Sequence, residues 1–226
     1  MKKVLIVLTN ESQYGNRSEA TGLWLGEATE FVYELEQNGI AVDYVSPKGG
    51  YVPIDPRSLK YASEQDLCMY ADSDFRKRAL AESLKPTEVE VGDYSAIYFT
   101  GGHGVMWDFP YNEELHQISW EIYQQGGYLT SVCHGISGLL FLKDDQDQYV
   151  INGKRITGFT NSEEVLSGKL KIVPFLNEEV AKLNGAIFTK KRAYAEYAVQ
   201  DGQLITGQNP FSPTAVAKLL VRNLQK

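Results

Sequence analysis

The residues that could carry out chemistry are concentrated around one cysteine near the middle of the chain. Cys133 follows an apolar run at 128–132 and directly precedes His134, with the small residues Ser131 and Gly135 two positions away on either side. This is the layout of a nucleophile elbow, a strand-to-helix turn so tight that only small flanking side chains fit. Imidazole titrates near neutral pH and can serve as the base. The pattern therefore predicts catalysis by Cys133 and His134, with an ordinary buried core cysteine as the alternative.

A helical segment is predicted directly after Cys133, and the N-terminus of a helix carries partial positive charge. We therefore expect the pKa of the Cys133 thiol to be lowered, which favours the reactive thiolate. The other cysteine, Cys68, lies in a weakly patterned region without His or Gly neighbours and is expected to serve packing or to lie at the surface. Two such distant cysteines fit a reducing, cytoplasmic location.

A second candidate element is the glycine-rich loop at 101–104, which directly follows a predicted strand. Glycines leave backbone N–H groups accessible, so we expect Gly101, Gly102 and His103 to form an oxyanion or substrate-binding site, shared with the N–H of His134. The loop lacks the Gly-Lys-Ser/Thr ending of a phosphate loop and the glycine spacing of a dinucleotide fingerprint. A simple tight turn is the alternative interpretation.

The elements that must position these residues alternate between strands and helices. Short apolar, β-branched runs predict strands at 4–8, 41–45, 96–100, 128–132, 186–188 and 203–206. Helical spacing of apolar residues predicts helices at 23–38, 74–84, 113–125, 136–142, 177–183 and 213–224. Strand, helix and strand within about forty residues make a right-handed βαβ unit. The predicted fold class is α/β, a doubly wound and mostly parallel sheet.

No repeat, low-complexity tract or linker divides the chain, which predicts a single domain over 1–226. The alternation weakens at 51–86, a Pro-containing segment of mixed charge. We interpret this segment as an insertion that forms a lid over the site. A tolerated surface excursion is the alternative.

Composition excludes several classes of protein. The 226 residues include 22 Lys+Arg and 29 Asp+Glu, for a net charge of -7, and 43% are hydrophobic. This composition fits a globular protein with a large core and is unfavourable for binding nucleic acid or an anionic membrane. The apolar run near the N-terminus is too short for a secretion signal, and no run reaches membrane-spanning length. The chain has no C-x-x-C or H-E-x-x-H spacing, so we expect no metal.

Four motifs occur together in one order, at 101–104, 131–135, 156–160 and 206–210. In that order they resemble the DJ-1/ThiJ/PfpI superfamily, specifically its Hsp31-like, glutathione-independent glyoxalase (glyoxalase III) branch. The resemblance covers nearly the full length, including the insertion. It implies a flavodoxin-like, class I glutamine amidotransferase-like fold with a nucleophile elbow, and a homodimer.

The resemblance also implies roles for individual residues. It makes Cys133 the nucleophile and His134 the general base. Glu27 would match a buried acid that hydrogen-bonds the cysteine sulfur, and Glu164 would match the carboxylate that orients the histidine. The choice between Glu164 and Glu163 stays open. A buried Glu27 should have its pKa raised until it is protonated.

Periodicity alone does not select Glu27 over its neighbours Glu30 and Glu34 on the first predicted helix. Glu27 lies at the border of the apolar stripe. A solvated helix residue is the alternative interpretation for it. The resemblance, not the spacing, makes the selection.

The implied reaction converts methylglyoxal to lactate, as a glyoxalase III-type lyase (D-lactate dehydratase). Cys133 would add to the aldehyde as a hemithioacetal, His134 would move a proton through an enediol, and a thioester would hydrolyse. The substrate is a small reactive aldehyde. Such a reaction needs no glutathione, metal or nucleotide cofactor.

Several other functions stay open. A PfpI-type cysteine peptidase uses the same residue types, although a covering insertion would argue against a peptide groove. A glutamine amidotransferase is disfavoured because no histidine follows His134. A protein deglycase and a stress-related holding chaperone would act on glycated or unfolded proteins, and the chaperone would need an exposed apolar patch. Oxidation of Cys133 would make the protein a redox sensor.

Overall fold

The core of the protein is a six-stranded sheet in the order β2-β1-β3-β4-β8-β7, in the computed structural model that describes residues 3–226. The first two residues of the predicted domain 1–226 lie outside the described residues. Five strands are parallel, and β7 pairs with β8 in the antiparallel direction at one edge. A separate parallel pair, β5 and β6, lies outside this sheet. The α/β, doubly wound, mostly parallel fold class is confirmed.

The strands are β1 Lys3–Val7, β2 Val42–Val45, β3 Tyr94–Phe99, β4 Tyr128–Val132, β5 Arg155–Ile156, β6 Ile187–Phe188, β7 Ala198–Asp201 and β8 Leu204–Gly207. The α-helices are α1 Leu25–Gln37, α2 Glu64–Ala71, α3 Ser73–Phe75, α4 Val105–Asp108, α5 Glu113–Gln124, α6 Ser137–Leu140, α7 Asn161–Leu166, α8 Asn177–Leu183 and α9 Pro213–Leu224. A π-helical segment, Arg76–Ala81, follows α3, and short 3-10 helices lie at Ser58–Lys60, Pro86–Glu88, Val91–Asp93 and Cys133–Ile136.

Both faces of the sheet are buried, which explains why its strands are continuously apolar in sequence. Side chains alternate between the two faces of a strand. Val4 and Ile6 of β1 pack in the core cluster that contains residues of α1 and α9, whereas Leu5 and Val7 pack in the cluster that contains residues of α5 and α6. The helices thus form a layer on each side of the sheet.

The parallel register brings the carboxyl ends of the central strands side by side. Val7 pairs with Phe99, Phe99 with Ser131, and Ser131 with Thr206. The loops that follow these strands therefore leave the sheet at one edge, where ligand sites of open α/β sheets form. The glycine loop and Cys133 both lie on this edge.

The segment at 51–86 differs from its prediction. The structure has a helix, α2, that the sequence analysis missed, and the predicted helix at 74–84 is observed as α3 continuing into the π-helical segment. Ser63 and Asp66 form a reciprocal capping box that starts α2. The side chain of Asp72 then accepts from the N–H groups of Asp74 and Phe75, which starts the next helix.

Three other elements also departed from expectation. The strand predicted at 186–188 is β6, which pairs with β5 in the small second sheet rather than joining the main one. The edge strand β7 and the helix α7 were not predicted at all. Within residues 3–226, none of the helices combines the length and apolar character that crossing a bilayer requires.

Candidate active site

Cys133 occupies a nucleophile elbow, as predicted from its flanking residues. It follows β4 with a φ angle of 57°, a left-handed conformation that is uncommon for a residue other than glycine. The 3-10 helix Cys133–Ile136 leads directly into α6. A Cβ atom at Gly135 would overlap the carbonyl oxygen of Phe99, so the chain can turn here only because that position carries no side chain.

His134 lies between the cysteine sulfur and a carboxylate. Its Nδ1 atom is 3.4 Å from Sγ of Cys133, and its Nε2 atom is 2.8 Å from Oε2 of Glu164. The side chains of His134 and Glu164 are both buried. Three of the four residues that the resemblance assigned to catalysis, Cys133, His134 and Glu164, are therefore connected in one series of contacts.

Glu164 and Glu163 have different hydrogen-bond partners, and this difference distinguishes the acid beside His134 from its neighbour. Both belong to α7, whose start is fixed by a capping box between Thr160 and Glu163. Glu163 accepts hydrogen bonds from five donors, none of which belongs to Cys133 or His134. These donors are the N–H and hydroxyl of Thr160, the N–H of Tyr194, and the side-chain amides of Gln208 and Asn209. Of the two acids, only Glu164 contacts His134.

Burial alone would raise the pKa of Glu164, but the proximity and hydrogen bonds of His134 and His103 outweigh it and hold the pKa below its ordinary value. Glu164 is therefore an ionised carboxylate that can only accept hydrogen bonds. Each histidine consequently donates from Nε2, and in the neutral tautomer of His134 that this donation selects, Nδ1 faces the thiol as an acceptor.

Glu27 lies beneath the elbow and is completely buried. Its Oε2 atom packs so closely against Gly101 that a Cβ atom there would overlap it. Within residues 3–226, neither of its carboxyl oxygens makes a hydrogen bond of good geometry. Burial raises the pKa of Glu27 well above its ordinary value, although the Cys133 thiol and the Gly101 N–H act in the opposite direction. Burial therefore favours the protonated form of Glu27, the direction expected for a buried acid.

The expectation of a low cysteine pKa was wrong. Burial raises the pKa of the Cys133 thiol well above its ordinary value, and the backbone N–H of His134 only partly offsets this. The helical start after Cys133 is short, and the sulfur is shielded from water. The resting site thus contains a thiol, and the proton must leave when the sulfur reacts.

The glycine loop follows β3 and approaches the elbow from the neighbouring strand. Gly102 has a φ angle of 104°, and a Cβ atom there would overlap the carbonyl oxygen of Gly22. The backbone of Gly101 accepts a hydrogen bond from the N–H of Trp24 through its carbonyl oxygen. Close packing against the chain before α1 therefore requires a glycine at 102, and close packing against Glu27 of α1 requires one at 101. Their role as oxyanion donors stays a prediction.

His103 has a contact that the sequence analysis did not anticipate. Its Nε2 atom lies 2.8 Å from Oε1 of Glu164, and its ring centroid is 4.1 Å from that of His134. Burial, followed by the proximity of His134, lowers its pKa to about 4. His103 is therefore a neutral imidazole at neutral pH.

Two residues of the insertion, Asp55 and Arg57, also belong to the site and were missed from sequence. Asp55 is fully buried and binds the guanidinium of Arg57 through both oxygens, at 3.0 and 2.6 Å. The Nη2 atom of Arg57 lies 3.3 Å from Nδ1 of His103. No motif marks these residues, since the tertiary fold brings them to the site.

A cavity of about 690 Å³ opens above Cys133 and His134. Aromatic residues form much of its wall, among them Trp24, Phe159 and Tyr194. Arg57, Ser58, Lys60 and Tyr61 of the insertion also line it. The lid function of 51–86 stays a prediction, but these residues give the segment a place in the site.

His103, His134 and Glu164 place one possible metal-ligand atom each within 4.8 Å of one another. The Nε2 atoms of both histidines are already hydrogen-bonded to Glu164. These hydrogen bonds account for the close approach of the three groups without an ion. The expectation of a site that needs no metal stays a prediction.

Comparisons with known proteins find relatives that match almost the full length of the chain. The chain is 36% identical to the glutathione-independent glyoxalase HSP31 of Saccharomyces cerevisiae, covering 96% of this chain and 95% of the relative. It is 29% identical to glyoxalase 3 of Candida albicans, covering 96% of each.

Two solved structures share the fold over almost the whole length. The rapid encystment protein of 24 kDa from Francisella tularensis superposes with a TM-score of 0.96 at 38% identity, covering 99% of each chain. Glyoxalase III of Candida albicans superposes with a TM-score of 0.88 at 27% identity, covering 98% of this chain and 96% of that one. The model of the DJ-1/PfpI family matches residues 20–223. The chain therefore belongs to the DJ-1/PfpI family, with Hsp31-like glutathione-independent glyoxalases among its relatives.

Proposed function

We propose that this protein is a glutathione-independent glyoxalase that converts a small 2-oxoaldehyde, methylglyoxal, to lactate. The observation that carries the proposal is the contact series from the Cys133 sulfur through His134 to Glu164, at the base of a cavity. Two full-length relatives are named as glyoxalases. Together they favour aldehyde chemistry at this cysteine.

The first step is addition of the thiol to the aldehyde. The Cys133 proton passes to the unprotonated Nδ1 atom of His134, and an S–C bond forms at the aldehyde carbon. The aldehyde oxygen takes up a proton to become the hydroxyl of a hemithioacetal. Glu164 stabilises the positive charge that His134 acquires, because an ionised carboxylate hydrogen-bonded to imidazole favours the imidazolium.

The second step moves hydrogen between adjacent carbons. His134 removes the proton from the former aldehyde carbon, and the neighbouring ketone oxygen gains a proton, which gives an enediol. The former ketone carbon then gains a proton while the hydroxyl on the sulfur-bearing carbon loses one, which produces a 2-hydroxy thioester. One carbon is oxidised and its neighbour is reduced, so the isomerisation needs no external oxidant or reductant.

The last step releases the product. Water attacks the thioester carbon, the C–S bond breaks, and the Cys133 thiol is restored with a 2-hydroxycarboxylate as product. The N–H groups of Gly102 and His134 would stabilise the oxyanion that forms. In other enzymes such a donor contributes about 3 to 4 kcal/mol to transition-state stabilisation.

The raised pKa of Glu27 supports a neutral role for this acid. A protonated carboxyl beneath the sulfur adds no negative charge that would oppose a thiolate. Its proton can be donated to the sulfur as the thiolate develops, which would lower the cost of deprotonating a buried cysteine.

The decisive experiment measures lactate formed from methylglyoxal by purified protein in thiol-free buffer without glutathione. We expect wild-type protein to form lactate and the Cys133→Ala variant to form none. Stereospecific assays with D- and L-lactate dehydrogenase would test the proposed D-lactate product. Folded wild-type protein that forms no lactate would contradict the proposal.

A protein deglycase or holding chaperone is the second candidate, favoured by apolar side chains at the rim of the cavity. Tyr61, Leu166 and Phe211 are 70, 65 and 54% exposed. Such a rim could contact an unfolded or glycated protein. Release of free amino acid from a glycated peptide, measured after methylglyoxal has been removed by an independent scavenger, would distinguish a deglycase from a glyoxalase. Suppression of client aggregation by the Cys133→Ala variant would indicate a chaperone function independent of the cysteine.

The PfpI-type peptidase is less well supported, because the insertion contributes part of the cavity wall. Cleavage of an unstructured peptide by wild-type protein but not by Cys133→Ala would establish it. We also propose a homodimer in the cytoplasm, where free cysteines such as Cys68 and Cys133 stay reduced. Sedimentation and cell fractionation would test these two points.

A further inference from the structure

His103 shares the carboxylate of Glu164 with His134. The two Nε2 atoms each lie 2.8 Å from a different oxygen of Glu164. The hydroxyl of Ser167 lies 3.0 Å from the same oxygen as His103 and 2.9 Å from the carbonyl oxygen of Glu164, so its proton is shared between these two acceptors. The carboxylate is thus held on both of its oxygens, which fixes its plane relative to the ring of His134.

The other nitrogen of His103 fixes which tautomer is present. Nδ1 of His103 faces Nη2 of Arg57, at 3.3 Å. A guanidinium can only donate, so Nδ1 must accept and cannot carry a proton. The ring proton is therefore on Nε2, where it is donated to Glu164.

Arg57 is itself held rigidly enough to impose this tautomer. Asp55 binds the guanidinium through both oxygens. The guanidinium also lies over the ring of Tyr14, at 5.4 Å from its centroid. The salt bridge and the aromatic contact come from different parts of the chain, and both restrict the side chain.

We propose that His103 is a positioning residue for the glyoxalase reaction: its Nε2–H holds Glu164 in the orientation that His134 needs, and Arg57 of the insertion fixes its tautomer. The proposal rests on the proposed function. It gives His103 a role different from an oxyanion or substrate contact. It also explains why a second, neutral imidazole is buried beside the catalytic one.

The two ring nitrogens can be tested separately with a matched pair of variants. In His103→Gln, the side-chain amide can reach Glu164 in place of Nε2. In His103→Asn, the shorter amide can accept from Arg57 in place of Nδ1 but cannot reach Glu164. His103→Leu removes both contacts. If the contact with Glu164 is what matters, His103→Gln should keep far more activity than the other two.

We expect kcat to fall about 10- to 100-fold in His103→Asn and His103→Leu, the range seen when groups that orient a reacting ligand are lost. KM should change less than about threefold, because the proposed role of His103 is exerted through Glu164 and not through the substrate. His103→Gln should lie within about fivefold of wild type in kcat. Thermal unfolding of each variant would identify losses that arise from misfolding.

A second measurement does not depend on the substrate. The rate of alkylation of Cys133 by iodoacetamide, followed by peptide mass spectrometry, reports how well His134 accepts the thiol proton. The exposed Cys68 is an internal control in the same sample. We expect slower alkylation at Cys133 in His103→Asn and His103→Leu, and an unchanged rate at Cys68.

The possible outcomes distinguish failure of the proposed glyoxalase function from failure of the positioning role of His103. If wild-type protein forms no lactate, the proposed function fails, and the alkylation rates alone decide the role of His103. If wild-type protein is active but folded His103→Leu retains its kcat and alkylation rate, the positioning role is overturned. Equal losses in folded His103→Gln and His103→Leu would likewise overturn it, because the restored donor would then have no effect.

Discussion

The carboxyl of Glu27 packs against the backbone of Gly101 so closely that no side chain fits between them. Glu27 comes from α1 and Gly101 from the loop after β3, so this contact joins the first helix to the loop beside the nucleophile. It leaves Glu27 completely buried. The close packing is the physical reason for the raised pKa of Glu27, because water cannot reach the carboxyl to stabilise its charge.

This burial predicts a pH-dependent effect of Glu27→Gln on stability. The folded-state pKa of Glu27 is raised above its ordinary value of 4.5, so the folded protein holds the proton more tightly than the unfolded chain does. The stabilisation from proton binding is fully present below pH 4.5 and is lost as pH rises through the folded-state pKa. A neutral glutamine removes this dependence.

We therefore expect the free energy of unfolding of Glu27→Gln, relative to wild type, to increase as pH rises from about 5 to 8. Urea unfolding at several pH values would measure it, and the other titrating groups cancel in the difference. A constant difference across this range would show that Glu27 is not protonated in the folded state. Activity should still fall, since the amide cannot supply the acid proton.

Glu163 and Glu164 are adjacent in sequence, but substitution by glutamine should reduce stability at Glu163 and activity at Glu164. Glu164→Gln places an amide against two histidine donors, so we expect a loss of activity of at least about 100-fold with a modest change in stability. Glu163→Gln disturbs a buried acceptor of five hydrogen bonds, so we expect destabilisation of about 1 to 3 kcal/mol. Steady-state kinetics and urea unfolding of the pair would measure both effects. The reverse pattern would assign the orienting role to Glu163.

Sequence patterns were sufficient to predict the central sheet, because burial on both faces makes its strands continuously apolar. The elbow was also predictable, since Ser131, Gly135 and the strand before Cys133 are local features. The helices α2 and α7 were missed although each begins with a recognisable capping signature, at Ser63 and Thr160. Both are short, and their apolar periodicity is weak.

The remaining parts of the site depend on contacts between distant segments. Arg57 and His103 are 46 positions apart, and His103 and Glu164 are 61 positions apart. No spacing rule connects residues at such separations. The raised pKa of Cys133 was likewise unpredictable, because the helix start that suggested a low pKa is local, whereas the burial that raises it comes from the whole fold.

The tight elbow predicts that Gly135→Ala destabilises the protein. A methyl group there would overlap the carbonyl oxygens of Phe99 and Thr100, which belong to the end of β3 and the residue after it. We expect a loss of about 1 to 3 kcal/mol in unfolding free energy and a large loss of activity, as in other overpacked sites. Gly92→Ala is the matched control, because a Cβ atom there would meet no atom within 4 Å. Equal stability of the two variants would mean that the elbow can relax without cost.

The contact between His134 and Cys133 predicts that His134→Ala separates addition from isomerisation. The thiol remains in the cavity and can still add to an aldehyde, but the base that moves the proton between carbons is lost. We expect a slow covalent adduct on Cys133 and lactate formation reduced by at least about 100-fold. Intact-protein mass spectrometry after rapid quenching would detect an added mass of one methylglyoxal, and Cys133→Ala would supply the background from other side chains. Lactate production at the wild-type rate by His134→Ala would remove this histidine from the mechanism. An absence of adduct on Cys133 would show instead that His134 is needed already for addition.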